Sequence, residues 1–391
     1  MNKKKNGGLH IVKRPEISWQ RAMGIRAVTL ILAIVVCGLV TWLTTGENPG
    51  GVFATIWEGS FSTRRRFWDM LQNLSFLLMV SLAMAPAFRM KFWNIGGEGQ
   101  ILVGCLATAA VMKLLGGAGL PNGVMILIEL VLGTAAGAVW GLIPAIFKAK
   151  WNTNETLFTL MMNYVATQLV SYYIIIWETP KGSGKVGVLN QKTQSGWLPS
   201  IGTNKYLLTV LVAAALTVFI YIYMRYSKHG YELAVVGESG NTARYVGISV
   251  GKVIMRTMAL SGGICGLTGF MIVAASGHTL TTSLTDSRGF TAVMVAWMAK
   301  FNPVGMIFIS FLLVFMSKGA SEVATNFSLN ASFSDILTSI IIFFLIGCEF
   351  FIQYKIVKSR ENEAPAAPKP SEAASAPSGR SGAASGSKEV E

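Results

Sequence analysis

Apolar segments of about 20 residues recur along the chain from Ala27 to Phe351, and this repetition constrains the fold more than any other feature. A segment of that length is what an α-helix needs to cross roughly 30 Å of hydrocarbon at 1.5 Å per residue. The expected fold class is therefore all-α, a polytopic membrane protein. Charge agrees with this: Asp, Glu, Lys and Arg make up 13% of the 391 residues, against roughly 25% in an ordinary soluble domain. A soluble enzyme is excluded on that ground. The net charge of +14 does not point to nucleic acid, because the basic residues sit at the ends of apolar segments and not along one polar face.

Length and hydropathy place spans at Ala27–Leu43, Phe67–Ala87, Phe92–Leu115, Val124–Phe147, Thr156–Trp177, Tyr206–Met224, Val253–Ser276, Phe290–Ala299, Val304–Val323 and Ile336–Ile352, about ten in all. The first follows Lys3, Lys4, Lys5, Lys13, Arg14, Arg21 and Arg26 and lacks a small-x-small cleavage site, so it reads as an uncleaved helix. An even count puts both termini in the cytoplasm. Arg89, Lys91, Lys148, Lys150, Arg225, Lys228, Lys252, Arg256, Lys300, Lys355, Lys358 and Arg360 then fall on inner loops, as the positive-inside bias requires. Arg64, Arg65 and Arg66 do not; either they cap an interfacial helix or the second span begins elsewhere. Lys181, Lys185 and Lys192 are also exceptions. The division is a basic cytoplasmic segment 1–26, a membrane domain 27–353 with an outer loop 178–205 and an inner loop 225–255, and a tail 354–391. That tail is Ala-, Pro-, Ser- and Gly-rich and is expected to be disordered in the cytoplasm.

Two features break the regular pattern. Phe290–Ala299 is too short to cross as a straight helix, and glycine pairs interrupt other spans at Gly96–Gly97 and Gly262–Gly263. Broken helices at membrane depth are tolerated where they line a cavity or are buried in protein. The alternative is close helix packing through small residues, as in Gly137-x-x-x-Gly141. Cys37, Cys105, Cys265 and Cys348 each sit alone in an apolar stretch, which suits buried, reduced thiols. His10, His229 and His278 lie far apart, so no metal site and no cofactor is predicted.

The run Phe92-Trp-Asn-Ile-Gly-Gly-Glu-Gly-Gln100 is not a dinucleotide fingerprint, because no strand precedes it. Glu98 and Gln100 carry polar groups into an apolar span, where an ionisable side chain is costly and faces a cavity or a partner. Glu98 could instead stay at headgroup level or cap a helix N-terminus. Leu260-Ser-Gly-Gly263 copies the core of an ATPase signature but lies inside a span. Gly182-Ser-Gly-Lys185 lacks the first glycine and the following hydroxyl of a phosphate-binding loop. The chain does not bind ATP by itself. On the inner loop, Gly230–Ile248 is expected to hold a short helix capped by Asn241 or Thr242, with Ala243 and Gly247 giving it a flat face for docking on another protein. No acid/base pair or nucleophile constellation appears on the loops.

The runs Asn94-Ile-Gly-Gly-Glu-Gly-Gln100, Asn154-Glu-Thr with Leu160-Met-Met-Asn-Tyr164, the Gly230–Ile248 loop, Gly289-Phe-Thr-Ala292 and Asn302-Pro-Val-Gly305 resemble the permease subunits of bacterial ATP-binding-cassette importers. The branch resembled handles simple sugars and nucleosides, nucleoside permeases in particular, and the resemblance spans about Phe67 to Phe351. Trp93, Glu238 and Ser239 depart from that pattern. The resemblance implies a bacterial inner-membrane subunit that hydrolyses nothing itself. Its implied partners are a second, related permease, two cytoplasmic ATP-binding subunits, an outer solute-binding lipoprotein and membrane lipid. It also implies that Gly237, Glu238, Asn241, Ala243, Arg244 and Gly247 form the coupling helix that seats in an ATPase cleft. Asn94, Glu98, Gln100, Asn163 and Tyr164 are the expected pathway residues. A rival reading is an ion-coupled secondary transporter in which Glu98 carries a proton.

Overall fold

The computed structural model describes residues 9–13, 18–46, 48–202 and 204–358. The expectations for Lys3, Lys4, Lys5 and Arg14, and for the tail beyond Lys358, lie outside the described residues. The chain divides into two compact units, Ser18–Phe350 and the two end segments together. In the end unit, strand β1 (Leu9–Lys13) pairs antiparallel with strand β2 (Tyr354–Lys358), Leu9 opposite Lys358 and Lys13 opposite Tyr354.

The large unit is all-helical. In chain order it holds α1 (Trp19–Thr45), α2 (Pro49–Phe61), α3 (Arg64–Arg89), α4 (Gly97–Leu115), α5 (Asn122–Trp151), α6 (Glu155–Trp177) and α7 (Leu207–Tyr226). There follow α8 (Lys228–Glu238), α9 (Gly240–Tyr245), α10 (Val250–Ile272), α11 (Arg288–Met298), α12 (Pro303–Asn326) and α13 (Ala331–Gln353). Among the described residues nine of these, α1, α3–α7, α10, α12 and α13, are long and apolar enough to cross a membrane. The tenth expected span corresponds to α11, whose eleven residues rise only about 16 Å. The irregular stretch from His278 to Ser287 leads into it.

Helices α3, α4 and α10 are buried over most of their length, whereas α5, α6 and α7 bury one side only. The outward sides carry Leu127, Val131, Leu211, Val218 and similar residues, a surface suited to acyl chains. Between helices in lipid there is little hydrophobic drive, so close contact rests on small residues. On α5, Gly133, Gly137 and Gly141 form one row, and Gly262 and Gly266 of α10 face it. A β-carbon at Gly137 would stand 2.6 Å from Gly266 Cα, and one at Gly104 of α4 would stand 2.7 Å from that same atom. Gly262–Gly263 is therefore a packing site and not a break, since α10 runs through it unbroken. A single π turn, Val273–Gly277, ends α10.

Arg64 opens α3, three residues before the expected boundary, and α2 is a separate short helix ahead of it. Arg66 donates to the Glu58 carbonyl and to Ser62 Oγ, and pairs with Glu322 of α12 at 2.6 Å. Both the boundary and the cap account for the arginine cluster. The four cysteines are free and buried. The loop before α7 folds back onto the π turn: Leu189 and Leu198 donate their N–H groups to the carbonyls of His278 and Ala274, and Trp197 stacks on His278 with ring centroids 3.7 Å apart.

Candidate functional site

Helix α4 does not start at Phe92. The chain leaves α3 at Arg89 and runs without regular structure to Gly96, and α4 begins at Gly97. Irregular backbone inside a membrane protein must find partners for its polar groups. Here they come from α6. Ile95 donates its N–H to Thr159 Oγ1 (3.2 Å), and Asn163 donates Nδ2 to the Ile95 carbonyl (2.9 Å) while its Oδ1 accepts from the Gly99 N–H (2.8 Å). Asn94 accepts from the Gly96 N–H at 3.0 Å and donates to Ser261 Oγ of α10 at 3.2 Å, with the Gln100 amide against its own. Thr159 and Asn163 are four apart, so both reach the break from one face of α6. Gly99 must be small, since a β-carbon there would sit 2.9 Å from Asn163 Oδ1.

Glu98 lies in the first turn of α4 and reaches the first turn of α11. Its Oε2 accepts from the Gly289 N–H at 2.8 Å and its Oε1 from the Thr285 hydroxyl. The carboxylate thus caps a helix N-terminus, but that of α11 and not its own. Two helix starts converge on it, and each presents unpaired N–H groups and a partial positive charge. Gly289 permits the approach: a β-carbon on it would stand 2.6 Å from Glu98 Cα. The next-door Arg288 turns away. It donates to Asn73 Oδ1 at 2.9 Å and to the Leu284 and Thr285 carbonyls at 3.3 Å, and lies over the Phe76 ring at 5.7 Å.

Arg288 and Asn73 belong to the wall of a cavity of about 670 Å³ between α3, α11, α12 and α13, within the roughly 300–1,000 Å³ usual for small-molecule sites. Its wall carries eight hydroxyl side chains, Ser287, Thr291, Ser317, Ser321, Thr325, Ser334, Thr338 and Ser339, with Lys318, Asp286 and Asp335. Lys318 pairs with Asp69 of α3 at 2.6 Å. The sequence reading misses this wall. Its signal is present as hydroxyls spaced by four, Ser317-Ser321-Thr325 and Ser334-Thr338, which put a polar stripe on one side of otherwise apolar helices.

Of the expected pathway residues, Asn94, Glu98, Gln100 and Asn163 come together as one buried cluster around the break. Tyr164 does not join them. It is exposed on the other side of α6, in a stripe with Gln168 and Tyr172 at intervals of four.

On the inner loop, Ser227 caps α8 by accepting from the Gly230 N–H, and Ser239 caps α9 by accepting from the Thr242 N–H. Ser239, not Asn241 or Thr242, is the cap, because its extended backbone aims the hydroxyl into the first turn. Glu238, Asn241, Arg244 and Gly247 are exposed, while Gly237 and Ala243 face inward. Ala243 and Gly247 do not form one flat outer face: Gly247 lies past the helix end in left-handed backbone at φ +81°. The outward groups at the tip are Tyr245 and Val246, 92% and 61% exposed. Arg256 of α10 donates to Glu232 at 2.8 Å and anchors α8. That hydrogen bond holds the Glu232 carboxyl below the usual carboxylate range, so the anchor is intact at neutral pH and is lost as pH falls through that lowered value.

Residues 67–346 match the family described as "Branched-chain amino acid transport system / permease component". The guanosine ABC transporter permease protein NupP of Bacillus subtilis is 28% identical over 86% of this chain and 96% of its own length. The nucleoside ABC transporter permease protein NupB of Lactococcus lactis is 26% identical over 87% and 95%. The glucose ABC transporter permease protein TsgB13 of Haloferax volcanii is 27% identical over 88% and 93%. A solved structure, PsaBC from Streptococcus pneumoniae in complex with Fab, aligns at 14% identity and a TM-score of 0.43 over 77% of this chain and 94% of that one. With the match running from the start of α3 into α13, and a polytopic helical fold beneath it, the chain belongs to the branched-chain amino acid transport system permease family and is a permease subunit of an ABC transporter.

Proposed function

We propose that this subunit carries a nucleoside, or a simple sugar, inward across a bacterial inner membrane. The solute is received from an outer binding lipoprotein, and transport is driven by two ATP-binding subunits on the α8–α9 side. A second, related permease completes the pathway, and both chain ends are cytoplasmic. The observation that carries this reading is the α8–α9 element itself: anchored below by Arg256 and Glu232, it holds Tyr245 and Val246 out, uncovered by the other described residues. An exposed aromatic tip on a short rigid helix suits seating in a cleft, and a seated helix transmits a rigid displacement. Glu238, Asn241, Arg244 and Gly247 would touch the ATPase; Gly237 and Ala243 would fix the element to the membrane domain.

The hydroxyl-rich cavity suits a polyol such as ribose or a hexose, and the names of the relatives point to the same solutes. In the pathway, Asn94, Gln100 and Asn163 would hold the break before α4 in shape, and Glu98 would fix the start of α11, whose Arg288 and Thr291 line the cavity. Tyr164 would face the solute beside Gln168, since a glutamine near the middle of a span is costly against lipid.

The test is Gly247→Trp. A β-carbon at Gly247 meets nothing within 4 Å, so the chain itself bears only the left-handed backbone cost of about 1–2 kcal/mol. ATP-dependent uptake of labelled guanosine by proteoliposomes holding the whole transporter should fall at least about tenfold, with the amount of permease in the vesicles unchanged. Uptake at the wild-type rate would sink the docking assignment.

A further inference from the structure

Helix α11 is held at both ends by side chains of other elements. Glu98 takes its start, and its far end is taken by Arg26 of α1, whose Nη2 donates to the Met298 carbonyl at 3.2 Å. In the last turn the carbonyls of Val295, Ala296 and Trp297 accept from the N–H groups of Ala299, Phe301 and Lys300, and that of Ala299 accepts from Asn302. The Met298 carbonyl receives none of these, so among the described residues it is the orphan acceptor of this helix end. A guanidinium there also complements the partial negative charge of a helix C-terminus, as the Glu98 carboxylate complements the start.

The same Nη2 donates to Glu349 Oε2 of α13 at 3.0 Å. Arg26 sits at the start of the apolar stretch Gly24–Thr44, and Glu349 near the end of Ser332–Ile352. An arginine so close to a span end can reach water by extending its stem. This one turns inward instead, and its side chain and that of Glu349 are 24% and 12% exposed. Helix α1 stays beside α13 further along, where Cys37 Sγ lies 3.7 Å from the Leu337 carbonyl. One guanidinium thus joins α11 to α13. Both helices line the hydroxyl-rich cavity, α11 through Thr291 and α13 through Thr338, Ser339 and Ile342. The link lies seven residues past Thr291 on α11 and seven past Ile342 on α13, about 10 Å along each axis. The two walls are therefore tied together at matching distances from the cavity.

We infer that Arg26 is a positioning residue of this cavity: by bridging the Met298 carbonyl and the Glu349 carboxylate it sets the spacing of α11 and α13, and so the width between two of the cavity's walls. That the cavity carries solute rests on the transport reading above; the spacing does not. Arginine suits the task because its planar guanidinium offers five donors and serves two acceptors at once. Arg26 and Glu349 both fall outside residues 67–346, so the bridge is a link that the flanks of the chain add to its family-matched part.

The test reads the spacing directly. Spin labels on Thr291→Cys and Ser339→Cys report the α11–α13 distance in the whole transporter in proteoliposomes, the native thiols being buried. With Arg26→Ala added, the distance should shift by roughly 1–2 Å, the scale on which packed helices move, and its distribution should broaden. Glu349→Ala should do the same, while Glu349→Gln, which keeps an oxygen for the guanidinium, should hold the wild-type distance. ATP-dependent uptake of labelled guanosine by the unlabelled transporters should fall several-fold in both alanine variants and stay near wild type in Glu349→Gln. Should Arg26→Ala fail to fold, Glu349→Ala, which leaves α1 intact, decides alone. A distance unchanged in the alanine variants, or a shifted distance with wild-type uptake, overturns the proposal. If the wild-type transporter takes up no guanosine, the transport reading fails, and the distances still decide whether Arg26 sets the spacing.

Discussion

Replacing Gly266 with leucine is expected to remove the folded subunit from the membrane fraction. A β-carbon there would stand 3.0 Å from Gly137 Cα and overlap the Gly133 carbonyl, and Gly104 of α4 closes the third side. Overpacking in a core typically costs 1–3 kcal/mol, when side chains can shift. Here the obstacles are backbone atoms of two other helices, so the cost should reach roughly 5 kcal/mol or more, a large part of the 5–15 kcal/mol by which folded domains are stable. Gly263→Ala is the matched control. Its β-carbon would meet Thr134 Cγ2 at 3.6 Å and Ala138 Cβ at 3.7 Å, ordinary contact distances. It should leave the melting temperature unchanged or raise it slightly, since alanine exceeds glycine in helix propensity by about 1 kcal/mol. Size-exclusion profiles and melting curves of the detergent-extracted protein measure both. A leucine variant as monodisperse and stable as wild type would mean that α5 and α10 do not meet at these glycines.

Glu98→Ala and Glu98→Gln should separate sharply. Alanine leaves the Gly289 N–H and the Thr285 hydroxyl without an acceptor in a buried place, at about 1–3 kcal/mol for each group. The start of α11 should loosen and uptake should be lost. Glutamine keeps an oxygen for the Gly289 N–H, and its amide can donate to Thr285. What it loses is the favourable charge at the helix start, about 0.3–1 kcal/mol and up to ~2 in buried geometry. Uptake should then stay within a few-fold of wild type. Glutamine cannot carry a proton, so retained uptake also distinguishes a cap from a proton-carrying role. A glutamine variant with normal melting behaviour and no uptake would show that the ionised carboxylate acts in transport itself.

The positions of the long helices are legible in the sequence because length and hydropathy act locally, and Gly96–Gly97 marks a break because two glycines weaken a helix there. The same two residues at Gly262–Gly263 mark close packing instead. What distinguishes them is the facing helix: polar side chains of α6 receive the opened backbone at Gly96, while Gly137 of α5 presses against α10 near Gly262. That difference lies in partners more than 60 residues away in sequence. The partner of Glu98 is likewise invisible, since Gly289 is 191 residues distant. Helix α2, thirteen residues long, falls below the length that marks a span. The cavity wall is written in the period-four hydroxyls of α12 and α13, a weak signal beside the hydropathy that surrounds it.

Strand β1 comes just before the first long helix and β2 directly follows the last, and the two are hydrogen-bonded to each other. The ribbon thus closes the described chain into a ring, with Leu9 joined to Lys358. Within that ring the stretch from His278 to Ser287 is not helical, and at its end the Glu98 carboxylate holds the start of α11.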